Sequence, residues 1–245
     1  MAIVPAHREH GATVVGTTEP RPSLDYYLVT GHRPTADVEG IVVEEFTRHR
    51  DFSTAGLDSA GWTAGGAGWW SSASLSRSMR TDPEVLTRVV PTSRSEAETV
   101  YRRLGGGQLP LEEVLRTYFC DHQPFATVPP LRLGPTQPPS GFRERRVYRV
   151  LFAKDLREEE VASLRALWGT PDGGTPGPVA SGSLDKGGDR YSWDLRRVGR
   201  GLAWGLDVTV LLRADASPTL RSTLQDLTNV LRQHGLIPVT TERFS

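Results

Sequence analysis

Leu220, Leu224, Leu227 and Leu231 lie on one stripe of a helix that Ser217 and Pro218 open and Gly235 closes. A stripe of that width has to be laid on an apolar surface of matching size. The neighbouring segments say which surface. Residues 190–198 and 202–213 are rich in strand formers and meet near Gly199 to Gly201 as a hairpin would. Arg146 to Ala153 (RVYRVLFA) reads as a further strand, and Leu236 to about Arg243 as the last one.

A second helix follows Ala153. Asp155 is its expected N-cap with Glu158 three residues on, and Val161, Leu164, Leu167 and Trp168 share a face. The stretch from Gly169 to Gly188 has no periodicity and is expected to be a long Gly/Pro/Ser loop. The resulting order, β-α-β-β-α-β, is the ferredoxin-like arrangement.

The first half is read on the same plan. Leu24 to Thr30 is a strand, Ala36 to His49 carries Val38, Ile41, Val42 and Phe46 at helical spacing, Trp62 to Leu75 takes the hairpin position, and Glu84 to Val90 a third strand. Ser93 and Glu96 then open a helix bearing Ala97, Val100, Tyr101 and Leu104, which Gly105 to Gly107 end. Leu28 to Val150 is 122 positions, Trp70 to Trp193 is 123 and Ser93 to Ser217 is 124. A steady spacing of this kind is what an internal duplication leaves behind.

The expected class is therefore α+β, with two tandem ferredoxin-like modules at residues 23–122 and 143–245. A flexible segment of residues 1–22 precedes them. An extra helix over Leu111 to Phe119 and a Pro-rich linker at 123–142 lie between them.

Composition excludes several classes of function. No apolar run approaches the roughly 20 residues that a membrane span needs, and the opening MAIVPAHREHG has no signal-peptide pattern, so a cytoplasmic location is expected. The 29 cationic and 29 anionic side chains cancel, which argues against nucleic acid as a partner. Lys154 and Lys186 are the only lysines, an arginine bias in keeping with a high-GC, actinobacterial genome. One cysteine, Cys120, allows neither an internal disulfide nor a multi-cysteine zinc site. No metal is expected, since Glu45 and His49, one helical turn apart, lack a visible third ligand. No cofactor is expected either: the glycines of GWTAGGAGWWSSASLS (Gly61 to Ser76) match neither the dinucleotide nor the phosphate-loop spacing.

Candidate site residues fall into three groups. Trp69 and Trp70 point to opposite sides of a strand, one into the core and one outward, where it would line a cleft between the modules. His32, after the first strand, and His122, beside Cys120 and Asp121, are the candidate acid–base residues. Arg196, Arg197 and Arg200 form the most basic local patch, suited to a phosphate, a carboxylate or an acidic partner surface.

LFAKDL (Leu151 to Leu156) and RGLAW (Arg200 to Trp204) resemble the first- and third-strand motifs of RNA-recognition-motif domains. That resemblance implies base stacking by Phe152 and Trp204.

Three readings of function stand at this level. The first is a binding or accessory protein that holds a small molecule or peptide between the modules. The second is an enzyme of secondary metabolism, of cyclase, lyase or oxygenase type, that needs neither metal nor nucleotide. The third is nucleic-acid binding by the C-terminal sheet. Exposed edge strands also offer a route to a homodimer.

Overall fold

The computed structural model of the chain describes residues 23–31, 37–126, 134–135, 137–170, 177–199, 203–215 and 217–244. They form a mixed α+β structure with two antiparallel sheets and six helices.

The N-terminal half runs β1 (Asp25–Thr30), β2 (Val38–Arg48), β3 (Thr54–Thr63), β4 (Trp69–Ser71), α1 (Ala73–Thr81), α2 (Pro83–Arg88), β5 (Val89–Thr92), α3 (Arg94–Arg103), α4 (Glu112–Arg116) and β6 (Gln123–Pro124). Its sheet has the order β4-β3-β2-β1-β5, with β6 added to β3. The C-terminal half runs β7 (Glu144–Ala153), α5 (Glu158–Trp168), β8 (Ala180–Lys186), β9 (Asp189–Val198), β10 (Ala203–Leu212), α6 (Leu220–Gln233) and β11 (Ile237–Arg243), in sheet order β11-β7-β10-β9-β8.

In the C-terminal half the leucine stripe finds its surface. Trp204, Leu206, Val208, Val210 and Leu212 of β10, with Tyr148, Val150 and Phe152 of β7, are buried in one cluster with Leu164 of α5 and the four leucines of α6. Each fully buried side chain of this size contributes about 1.5–3 kcal/mol.

Gly235, at φ 90°, closes α6 in the backbone region where glycine carries no Cβ penalty. Two details differ from expectation. Helix α5 begins at Glu158 behind Arg157, whose backbone N–H donates to Glu160 Oε2 (2.7 Å), while Asp155 accepts from Leu156 N outside the helix. The expected loop 169–188 contains β8, which pairs with β9 along its whole length. Its Ser/Gly-rich composition hid an edge strand that needs only Ala180 and Leu184 turned to the core.

The N-terminal half does not repeat that order. The expected helix over 36–49 is the strand β2, in which Gly40 to Glu44 are all buried. One face of this sheet packs on α3 and α4 through Tyr26, Leu28, Ile41, Val43, Ala97, Tyr101 and Leu115. The other packs Tyr27 and Val42 on Met79 of α1 and on Ala153 and Ile237 at the ends of β7 and β11. Burial on both faces makes a strand read as a continuous apolar run, and apolar residues at 38, 41, 42 and 46 then satisfy a helical template by coincidence.

The expected strand over 84–90 is likewise replaced. Pro83 and the Asp82 side chain, which accepts from Glu84 N (2.9 Å), open α2, and only Val89 onward pairs with β1. The observed order therefore gives no support to the tandem duplication. Helix α3, capped by Ser93 Oγ on Glu96 N (3.1 Å), and α4 stand where they were expected. No helix among the described residues is long and apolar enough to cross a membrane.

Candidate functional site

The two halves meet along β1, and strand alternation divides its side chains between two environments. Asp25 and Tyr27 face α6 and α1, whereas Tyr26 faces α3 and α4. Arg232, in the last turn of α6, pairs with Asp25 Oδ1 (3.0 Å), donates to the Tyr26 carbonyl (3.0 Å) and lies 5.1 Å over the Tyr27 ring. Burial pushes the Asp25 carboxyl above its ordinary value; Arg232 pulls it down, and Glu44 adds to the rise.

On the other side, the Tyr26 hydroxyl donates to Glu112 Oε1 (3.0 Å) and accepts from Arg94, whose second nitrogen donates to the Pro110 carbonyl (2.8 Å). Leu24 N also donates to Glu112 Oε1 (3.2 Å). Burial, with the adjacent Glu112 carboxylate, holds the Tyr26 phenol well above its ordinary pKa, so it stays a neutral donor.

A groove of about 450 Å³ opens between these two sets of contacts. Tyr26, Arg94 and Glu112 form one wall, Asn229 and Gln233 of α6 the other, and Asp25 with Arg232 its floor; Glu96 stands at the N-terminus of α3. Two cations and three carboxylates thus face a space large enough for a small ligand.

Deeper in the seam the space shrinks to about 30 Å³ among Asp25, Glu44, Arg48, Thr54, Thr228 and Thr241. That is room for a water or two and not for a metabolite. Here Glu44 is fully buried and held by Arg80 (2.7 Å) and the Ser76 hydroxyl, and Arg80 Nε donates onward to the Pro238 carbonyl (2.9 Å). Arg48 donates to Thr241 Oγ1 (3.1 Å), Thr241 N to Thr54 Oγ1 (2.9 Å), and Lys154 Nζ to the Val89 carbonyl (2.7 Å). The halves are joined by these charged and polar contacts as well as by apolar packing.

The residues singled out from sequence lie elsewhere. Trp69 stacks near Tyr118 (6.2 Å) and Tyr101 (5.8 Å) on the α3 side, while Trp70 is 39 % exposed and covers Gly61 on the opposite side. His122 Nδ1 sits 2.9 Å from Asp58 Oδ1, its ring against Gly56, at the β3–β6 side. Phe152 and Trp204 are cross-strand partners buried under the helices, so they present no stacking surface. Base stacking needs them on the open face of the sheet, but alternation turns them the other way.

That open face instead carries charges. Arg149 pairs with Asp207 (2.6 Å), and Arg196 with Asp207 (3.1 Å) and Asp194 (3.4 Å). Arg197, the cross-strand partner of Trp204, is instead on the covered face, where it pairs with Asp155 and lies 4.4 Å over the Trp204 ring. His32 and Arg200 lie outside the described residues. No group of three metal-ligating side chains occurs among the described residues.

The groove residues escaped sequence reasoning because nothing local links them. Tyr26 is 68 positions from Arg94 and 86 from Glu112, and its carbonyl is 206 from Arg232. The chain matches no protein-family model, no curated protein and no solved structure.

Proposed function

We propose that this protein is a cytoplasmic binding or accessory protein whose ligand, a small polar molecule or a peptide end, lies in the groove between two α+β modules. The single observation behind this reading is the 450 Å³ space whose walls come from both halves. Clefts between structural units are a usual place for ligands, because each unit supplies one wall. Both signs of charge at short range suit a ligand with both an amine and a carboxylate.

The C-terminal half is read here as a ferredoxin-like module, since β11-β7-β10-β9 follows the strand order of that arrangement with β8 added at the edge. The test is native mass spectrometry on protein purified gently from its host, alongside Gln233→Trp, which fills the groove from an exposed position. A small-molecule mass excess present in wild type and absent from the variant is the expected result. A mass excess that survives Gln233→Trp sinks the groove as its site, and a bare chain in both sinks a tightly held ligand.

A second reading, an acid–base enzyme, draws on the Asp58–His122 pair at 2.9 Å, in which the carboxylate fixes the imidazole tautomer while the ring stays half-exposed. For any substrate found by activity screening, His122→Ala is then expected to slow turnover about 100-fold or more. Unchanged turnover removes His122 from the chemistry.

A further inference from the structure

The charges around the groove between the halves are not all matched. Arg232 has Asp25 (3.0 Å), and Arg116 has Glu45 (2.9 Å) and Glu112 (3.6 Å). Arg94 differs. It donates to the Tyr26 hydroxyl and to the Pro110 carbonyl (2.8 Å) and lies 5.6 Å over the Tyr26 ring, and no carboxylate among the described residues pairs with it. It is half-buried on the groove wall. A cation that has given up part of its hydration without gaining a counter-ion is ready to take an anion, and its contacts to neutral groups hold the guanidinium in place for one.

Tyr26 also fixes how that cation stands to Glu112. Arg94 and Glu112 are the first residues of α3 and α4, and the hydroxyl between them accepts from one and donates to the other (3.0 Å). Two hydrogen bonds through one oxygen keep the guanidinium and the carboxylate within about 6 Å of each other. Glu112 Oε1 takes the Tyr26 hydroxyl and Leu24 N, while Oε2 has the long contact to Arg116, and the side chain keeps 20 % exposure. Glu96, the other carboxylate on this wall, takes the Thr92 hydroxyl (2.6 Å). Across the groove stand two amides, Gln233 and Asn229, the latter with its Oδ1 engaged by Gln225 (3.1 Å).

We propose that the ligand of this groove is a free α-amino acid, with its carboxylate on Arg94, its ammonium on Glu112 and a polar side chain toward Asn229 and Gln233. The assignment rests on the reading of the groove as a binding site. An α-amino acid carries both charges on one carbon, which suits a cation and a carboxylate held close by a common hydroxyl. A peptide end offers one of the two charges there and leaves the other group of the site unmet.

The test is thermal unfolding of the full chain with each standard L-amino acid in excess. The amino acid giving the largest shift is then titrated calorimetrically beside its N-acetyl derivative and its carboxamide. At least one amino acid is expected to raise the midpoint and bind saturably, with both derivatives at least about tenfold weaker. Arg94→Gln should bind the amino acid and its carboxamide alike. Glu112→Gln, which keeps an acceptor oxygen for Leu24 N and Tyr26, should bind the amino acid and its N-acetyl form alike. A purely structural role would not produce this selective loss of discrimination. The assignment is overturned by a chain that responds to no amino acid, by a derivative that binds like its parent, or by variants that discriminate as wild type does. A mass excess lost in Gln233→Trp beside no response to any amino acid removes the assignment and leaves the groove reading standing. Amino-acid binding that survives Gln233→Trp removes both.

Discussion

The two sheets of this protein solve the same problem of burial in different ways. The C-terminal sheet is covered on one face. Along β10 its inward residues, from Trp204 to Leu212, are buried, while Asp207 on the other face pairs with Arg149 and Arg196 within reach of solvent. The N-terminal sheet is covered on both faces, so β2 has five consecutive buried residues, the last of them Glu44. A carboxylate on the one-sided sheet can lean on water as well as on arginine. One inside the two-sided sheet has only its partners, and Glu44 has Arg80 and Ser76.

The largest effect should come from removing that partner. Arg80→Ala leaves Glu44, whose side chain is 0 % exposed, without a counter-charge, and is expected to cost about 3–5 kcal/mol. Arg149→Ala on the open face should cost about 1 kcal/mol or less, because Asp207 keeps Arg196 and is partly solvated. Urea denaturation of the two variants decides the matter. Equal losses would mean that the two sheets do not differ in how they hold charge.

A smaller effect separates the same regions through two glycines. Gly182 of β8 lies opposite Trp193 of β9, and Gly61 of β3 opposite Trp70 of β4. A Cβ added at either would come within 2.6–2.7 Å of the indole. Trp193 is buried and held edge-on against Trp168, so Gly182→Ala should cost about 1–3 kcal/mol. Trp70 is exposed enough to swing outward, and Gly61→Ala should cost less than about 1 kcal/mol. Thermal unfolding of both variants orders them, and a costlier Gly61→Ala would show that Trp70 is fixed where it lies.

The same contrast explains what was legible in the sequence. β9, β10, α5 and α6 could be read because a sheet open on one side and a helix on its inner face keep their periodicities. β2 could not, since burial on both sides erases alternation and left Val38, Ile41, Val42 and Phe46 at a helical spacing. β8 was hidden by small polar residues that suffice at an edge. The site was less legible still. Trp69, Trp70, Phe152 and Trp204 stood out by residue type, yet three of the four serve packing and Trp70 covers a glycine. Tyr26, Arg94, Glu112 and Arg232 are ordinary residues that only the docking of α3, α4 and α6 brings together.

Acid should act on the two halves with opposite sign. Asp25, in the seam, has a carboxyl raised above 3.8 chiefly by burial, against the pull of Arg232, and Glu44 adds to the rise. A raised folded-state pKa gives stability that is present below the unfolded value and is lost as pH climbs through the folded one. Glu144 on β7 is held below 4.5 by hydrogen bonds from Arg146, against some desolvation, with Arg243 adding to the pull. Its stability is present above the unfolded value and is lost as pH falls through the folded one.

Urea midpoints for wild type, Asp25→Asn and Glu144→Gln between about pH 3 and 7 test this directly. As pH rises, the advantage of wild type over Asp25→Asn should shrink and its advantage over Glu144→Gln should grow. Trends of the same sign would show that the Arg232 pair outweighs burial at Asp25, and that the seam handles charge as the start of β7 does at Glu144.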